Sequence, residues 1–251
     1  MWHSFFGLGI LSHFIIQRVD PIFGHLLHGV TPCLLPFLIS ITPLLPGILT
    51  TAGGEFLCAT GRVDADSFAR ENDAFYMAYQ QGTLDIHAYL EFALRPIAGL
   101  NRAEVQTLQE QFIREWITPI LLPQAHDLID RHRHAGDTLI IITATNTVVT
   151  RPIADLLGIE ALLGCEAELK NGHYTGGIIG TPSFQEGKVS RLDDWLVENK
   201  ISMAGACFYS DSHNDLPLLE RVDKPIAVDP DDKLAAIAKQ RSWPIISLRT
   251  T

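Results

Sequence analysis

Ala206-Cys207-Phe208-Tyr209-Ser210-Asp211-Ser212-His213-Asn214-Asp215-Leu216 is a short apolar run that stops abruptly at a polar turn carrying two carboxylates. Such a run predicts a buried strand, and the turn after it predicts an acidic loop at the strand's carboxyl end. In an α/β domain with a parallel sheet, ligands sit outside the carboxyl ends of the strands, so Asp211 and Asp215 fall where chemistry is expected. Their hard oxygens suit Mg²⁺, which takes one or two carboxylates, keeps several waters and bridges to substrate phosphate. The same residues also suit a turn with a helix N-cap, because Asp, Ser and Asn favour both, and the loop alone leaves the two readings open. A Ser-His-Asp triad fits less well, since triad members converge from separate elements and not from neighbouring positions of one loop.

Outward from this loop the pattern alternates. Thr138 to Ile142 is a second continuous apolar run, ending in Thr143-Ala144-Thr145-Asn146 and leading into a helix that stops at Gly158. Glu166 to Lys170 and His173 to Ile178 flank Asn171-Gly172, the pair that fits a type I′ hairpin turn. A helix starts near Gly187-Lys188, and Pro225 to Val228 and Pro244 to Leu248 supply late strands around a helix from Asp231 to Lys239. Upstream the pattern is helical. Asp64 or Asp66 caps a helix ended by Gly82, Asp85 caps a second, Asn101 opens a third, and Pro123 to Ala135 forms a fourth. The expected architecture is α/β: a Rossmann-like parallel sheet core over residues 136–251 with an inserted helical cap over 55–135.

Composition narrows the function. The chain has 251 residues, ample for one large domain, and 47% of them are hydrophobic, enough for a core. A formal net charge of -10 argues against nucleic acid as a partner, because no basic face is available to neutralise phosphates. A small anionic substrate then needs a metal or a local Lys. Cys33, Cys58, Cys165 and Cys207 are scattered without metal-ligand spacing, which predicts free thiols in a reducing, cytoplasmic setting. Oligomeric state is not legible.

Residues 1–54 stand apart: Arg18 and Asp20 are their only Lys, Arg, Asp or Glu side chains. The apolar block Phe5 to Ile16 lacks the basic flank of a signal peptide. The block Val30 to Leu49 has the length of a membrane span, but Pro32, Pro36, Pro43 and Pro46 break a helix repeatedly. A membrane-anchored form using residues 5–49 is therefore the poorer reading.

Thr143, Lys188, Asp211 and Asp215 fall at strand ends or helix starts and all suit one phosphorylated ligand. Each also has an ordinary structural use as N-cap, solvated lysine or turn former. Together they carry a resemblance to the haloacid dehalogenase superfamily, in the branch with phosphoserine phosphatase and histidinol phosphatases. The matching segments are Leu139-Ile-Ile-Ile-Thr143-Ala-Thr-Asn146, Glu186-Gly-Lys188 and Tyr209-Ser-Asp211-Ser-His-Asn-Asp215. The resemblance implies hydrolysis of a small phosphorylated metabolite through an aspartyl-phosphate, with Mg²⁺ and Lys188 offsetting charge. It implies that Thr143, Ala144, Asn146 and Lys188 bind substrate, that Asp211 binds the metal, and that Asp215 supports the metal or orients Lys188. Arg95, Arg102 and Arg114 are cap cations that can meet a substrate carboxylate or serve as solvated helix charges.

One motif is missing. The family opens with a strand ending in Asp-x-Asp-x-Thr, whose first Asp is the nucleophile, and Asp20, the one carboxylate before Glu55, sits in an unsuitable context. The genetic code offers an account. Leu38-Ile39-Ser40-Ile41-Thr42-Pro43 can be encoded so that a shifted frame gives Asp-Leu-Asp-Asn-Thr, and the same shift over Gly47 to Gly53 permits Asp-Ser-Asp-His-Gly-Trp-Gly. Residues 1–54 are then expected to be out of frame in part, with the apolar stretch near 33–41 still able to fill the central strand. The chain as written is expected to be inactive. A phosphatase fold that binds a phosphometabolite or a partner without turning it over is the alternative.

Overall fold

The structure, a computed structural model, describes residues 37–40, 42–44 and 49–249. Three apolar segments make the middle of its sheet: β1 (Phe37–Ile39), β2 (Leu139–Asn146) and β5 (Cys207–Ser210). Strands covered on both faces cannot alternate polar and apolar residues, which is why these read as continuous runs. β1 pairs in parallel with β2 on one side and β5 on the other, so that Ile39 lies opposite both Ile141 and Tyr209. With β3 (Ala161–Lys170), β4 (His173–Ile179), β6 (Lys224–Val228) and β7 (Ile245–Ile246), the sheet has seven strands in the order β4-β3-β2-β1-β5-β6-β7. The β3–β4 hairpin is its one antiparallel pair among the described residues. Asn171 and Gly172 turn that hairpin with φ of 52° and 81°, the two positive values a type I′ turn requires. Strand order reverses at β1, and the crevice at the carboxyl ends of β1, β2 and β5 is the switch point where such sheets bind ligands.

The helices are α1 (Leu49–Ala59), α2 (Ala65–Gln81), α3 (Ile86–Leu94), α4 (Arg102–Phe112), α5 (Pro123–His134), α6 (Thr147–Leu156), α7 (Glu186–Asn199), α8 (Leu216–Leu219) and α9 (Asp232–Gln240). Their starts follow the polar residues picked out above: Asp64 caps α2, Asp85 caps α3, and Asn101 forms a capping box with Glu104 on α4. Each such cap is worth about 1 kcal/mol, so these boundaries are encoded locally.

The last helix of the stretch read as a cap to residue 135 packs elsewhere. On α5, Ala125, Leu128, Ile129 and His132 are buried. The His132 ring stacks on Phe37 of β1 at 4.0 Å, while its Nδ1 lies 2.6 Å from Asp137 and its Nε2 3.1 Å from the Tyr209 hydroxyl. α5 therefore belongs to the layer covering the sheet. The main core gathers Leu38, Ile140, Phe208, Leu192, Leu218 and Leu234 between the sheet and the later helices.

Cys58 and Cys165 are free thiols, but Cys207 is disulfide-bonded, which corrects the reading of all four cysteines as free. Spacing along the chain does not report which thiols meet in space. No helix among the described residues is long and apolar enough to cross a membrane. The block Phe5 to Ile16, Asp20, and Val30 to Pro36 lie outside the described residues.

Candidate active site

At the switch point lies a cavity of about 760 Å³, lined from the sheet side by Ser40, Thr143, Lys188 and Asp211 and from the helical insert by residues that include Tyr79. Thr143 reaches it because β2 leaves its regular ladder: the register with β3 shifts between Ile142 and Asn146. The Thr145 amide turns back to donate to Thr143 Oγ1 at 3.2 Å, and Ala144 and Thr145 both line the cavity. Asn146 does not line it. Its side chain accepts from the Val149 amide at 3.2 Å as the N-cap of α6, so its capping role prevails over the substrate contact expected of it.

Lys188 enters from the first turn of α7. Gly187 beside it has no room for a side chain, because a Cβ there would collide with the Pro182 carbonyl oxygen. Gln185 just before the helix is held at a φ of 46°, a region few residues with a side chain adopt, and its amide donates to Asn214 Oδ1 at 3.1 Å. The result is a buried ammonium, with Nζ 2.5 Å from Asp215 Oδ1. Asp215 Oδ2 accepts from Ser210 Oγ at 2.7 Å. Both Asp215 oxygens are thus engaged. Of the two roles expected for this residue, the geometry suits orienting Lys188 better than meeting a cation.

Of the two carboxylates of the acidic loop, Asp211 is the one that lines the cavity. Burial, then the neighbouring Asp215 and Asp231 carboxylates, push its carboxyl up to about 7, against the opposing pull of Lys188. A group held this far above the ordinary carboxylate range gains from a divalent cation, which removes the same penalty that a proton does. No cluster of three or more His, Cys, Asp or Glu side chains suited to a metal occurs among the described residues. Mg²⁺ needs only one or two carboxylates when waters and substrate phosphate complete its shell, so Asp211 fits that ion.

The insert is tied to the acidic loop. The Tyr79 hydroxyl donates to Ser212 Oγ at 2.7 Å, Asn214 Nδ2 donates to the Tyr79 carbonyl at 3.0 Å, and Lys233 Nζ donates to the Gln80 carbonyl at 2.7 Å. Burial drives the Tyr79 hydroxyl far above its ordinary pKa, with the Asp215 and Asp211 charges adding to the effect. His213 Nδ1 lies 2.8 Å from Asp231 Oδ2. Burial pushes the Asp231 carboxyl up, but bonds from the His213 and Leu234 amides and from the His213 ring outweigh it and hold the group below its usual range.

Tyr79, Thr145, Ser210, Ser212 and Asp231 are not marked as site residues by the sequence alone. Ser210 and Ser212 flank Asp211 and had a local signal there, whereas Tyr79 and Asp231 arrive from helices whose docking no local pattern reports. Arg95 pairs with Glu71 at 3.0 Å and Arg114 with Glu115 at 2.7 Å, and neither these two nor Arg102 lines the cavity.

A sheet with its switch point at β1, and a cavity there combining a buried lysine, a threonine near the carboxyl end of β2 and an open carboxylate, defines a hydrolase of the haloacid dehalogenase-like kind. The model of that family matches residues 44–220, and the chain belongs to it. Among its relatives, a histidinol-phosphatase of Neisseria meningitidis is 40% identical over 199 residues, covering 78% of this chain and 90% of that protein. A phosphoserine phosphatase of Mycobacterium tuberculosis is 30% identical over 186 residues, covering 74% of this chain and 60% of that longer protein. A solved structure of a Bordetella pertussis protein with unknown function superposes with a TM-score of 0.80 at 39% identity, over 86% of this chain and 99% of that one. A substrate-bound phosphoserine phosphatase superposes with a TM-score of 0.61 at 15% identity, over 86% of this chain and 92% of that one, which shows a common fold.

Proposed function

We propose that this chain is a phosphatase fold for small phosphomonoesters, of the type named in its histidinol-phosphatase and phosphoserine-phosphatase relatives, with Mg²⁺ held at Asp211. The observation that carries this reading is the convergence of Thr143, Lys188 and Asp211 on one cavity at the switch point of the sheet. Thr143 Oγ1 and the Ala144 amide receive phosphate oxygens ahead of the α6 N-terminus, where backbone donors and the helix dipole favour an anion. Lys188, fixed by Asp215, sets a point charge against the phosphoryl group. When bound, Mg²⁺ supplies Lewis-acid stabilisation of the transferring group.

The nucleophile is the missing part. The carboxyl end of β1 presents Ser40 to the cavity, and one hydroxyl does not replace the two carboxylates that the family resemblance requires there. The family match begins at residue 44, beyond β1. In this reading the chain as written binds a phosphomonoester without turning it over, and the gene in its proper frame encodes the Asp-Leu-Asp-Asn-Thr segment near Leu38 to Pro43. A cytoplasmic setting draws support from the free Cys58 and Cys165, and the Cys207 disulfide weighs against it.

Two measurements test this. Calorimetric titration of inorganic phosphate in the presence of Mg²⁺ is expected to show binding that Thr143→Ala and Lys188→Ala both abolish; a chain that takes up no phosphate would falsify the site. Resequencing the DNA across the codons for Pro32 to Leu57 is expected to restore the acidic motif, and the protein so encoded to hydrolyse p-nitrophenyl phosphate. DNA that confirms every codon, together with turnover by the chain as written, contradicts the missing-nucleophile reading.

A further inference from the structure

The helical insert supplies one wall of the cavity, and the chemistry of that wall is one-sided. α2 and α3 contribute Asp73, Phe75, Tyr76, Tyr79 and Tyr89 among others, and Asp73 is the one charged residue they bring. Asp73 forms no ion pair among the described residues, so its charge is uncommitted. Phe75 and Tyr89 meet edge to face at 5.6 Å, so their rings form a continuous aromatic surface beside it. No insert arginine reaches the cavity. Besides Lys188, which Asp215 holds, two cations line it from the core: Lys233 donates to the Gln80 carbonyl at 2.7 Å and Arg249 stands 3.9 Å from Asp229. Both also sit among Asp229, Asp231 and Asp232, so the potential over this half of the cavity is negative.

From this asymmetry we propose that the cavity selects phosphomonoesters of ammonium-bearing alcohols that lack a carboxylate, with Asp73 as the specificity-determining residue. The inference rests on the phosphatase reading above and deepens it. Phosphate enters toward Thr143 and Lys188, and the leaving group lies toward α2. A cationic amine there gains from the Asp73 carboxylate and from the ring faces of Phe75, Tyr76 and Tyr89. A carboxylate on the same leaving group meets Asp73 as a like charge, and the one arginine lining the cavity, Arg249, lies beside Asp229.

The test uses a matched pair. O-phosphoethanolamine and O-phosphoserine share phosphate, ammonium and chain, and differ by one carboxylate. Calorimetric titration of the full chain with Mg²⁺ present is expected to show O-phosphoethanolamine binding about three- to fivefold more tightly, the size of a single exposed charge interaction. In Asp73→Asn the preference is expected to shrink to about twofold, because O-phosphoethanolamine loses an attraction while for O-phosphoserine attraction and repulsion are removed together. Asp73 is exposed, so the variant is expected to fold, and circular dichroism checks this. Equal or tighter binding of O-phosphoserine, or an unchanged ratio in the variant, overturns the proposal. Inorganic phosphate separates the two levels. If it binds and neither monoester does, the specificity inference fails and the phosphate site stands; if it does not bind, the phosphatase reading fails and the inference falls with it.

Discussion

Lys188 and Asp215 meet in a buried ion pair 2.5 Å long, their side chains 4% and 3% exposed, in which the lysine comes from the start of α7 and the aspartate from the loop after β5. The pair fastens two elements far apart in sequence beside the same cavity. Removing one partner leaves the other as an uncompensated buried charge. Lys188→Met and Asp215→Leu are each expected to lower stability by about 3–5 kcal/mol in urea titration, and the double variant by less than the sum. Additive losses would mean that the two charges do not depend on each other.

Asp211 makes stability depend on pH and, in the proposed reading, on Mg²⁺. Its carboxyl is pushed up to about 7 in the fold, against 3.8 ordinarily, so between those values the folded chain holds a proton that the unfolded chain has released. Stability therefore falls as pH rises through that window, and the loss is complete above about 7. In the proposed reading Mg²⁺ at Asp211 takes the place of the proton. The melting temperature is expected to rise on adding Mg²⁺ by more at about pH 8 than at about pH 5, and Asp211→Asn to remove that difference. An increment that ignores pH, or that survives the substitution, would show that the cation acts elsewhere.

Tyr79 couples the helical insert to the acidic loop through Ser212 and Asn214. Tyr79→Phe keeps the ring beside Phe184 and deletes only the hydroxyl bond, at an expected cost of about 0.5–1.5 kcal/mol. Because Ser212 follows Asp211 directly, the variant is also expected to weaken Mg²⁺-dependent stabilisation while leaving the secondary structure intact by circular dichroism. Stability lost with no change in the Mg²⁺ response would make Tyr79 a packing residue alone.

What could be read without the structure was what is local. Asp64, Asp85, Asn101 and Asn171-Gly172 set helix starts and a hairpin through bonds within a few residues of themselves, and their elements fall where those residues predict. Thr143, Lys188 and Asp211 were legible because each ends a strand or opens a helix, and strand ends share one edge of a parallel sheet. Asn146 stands at such a place too, and there the N-cap role prevailed. The packing of α5 on the sheet, the Tyr79 link and the Asp73 wall depend on how helices dock. That is decided by contacts between residues such as His132 and Tyr209, 77 positions apart, for which no periodicity gives a signal.

β1 is only three residues long, yet it stands between β2 and β5 and delivers Ser40 to the cavity. Backbone bonds flank it: the Phe37 amide donates to the Thr138 carbonyl and the Ser40 amide to the Tyr209 carbonyl, each at 2.9 Å. So short a strand needs side-chain anchorage, and Phe37 provides it, stacking on His132 at 4.0 Å and tilting against Tyr209 at 5.0 Å. Burial lowers the His132 pKa even though Asp137 raises it, so the ring stays neutral as the unfolded chain takes up a proton. Stability from this cluster is therefore present above the ordinary histidine value of 6.5 and declines as pH falls through and below it. Phe37→Ala is expected to cost about 3–5 kcal/mol. It is also expected to speed amide exchange at Leu38 and Ile39 and to weaken phosphate binding, although Phe37 does not line the cavity. If Phe37→Ala lowers global stability but leaves exchange in β1 and phosphate affinity unchanged, the strand is held by its neighbours alone and the aromatic anchor is dispensable for the site.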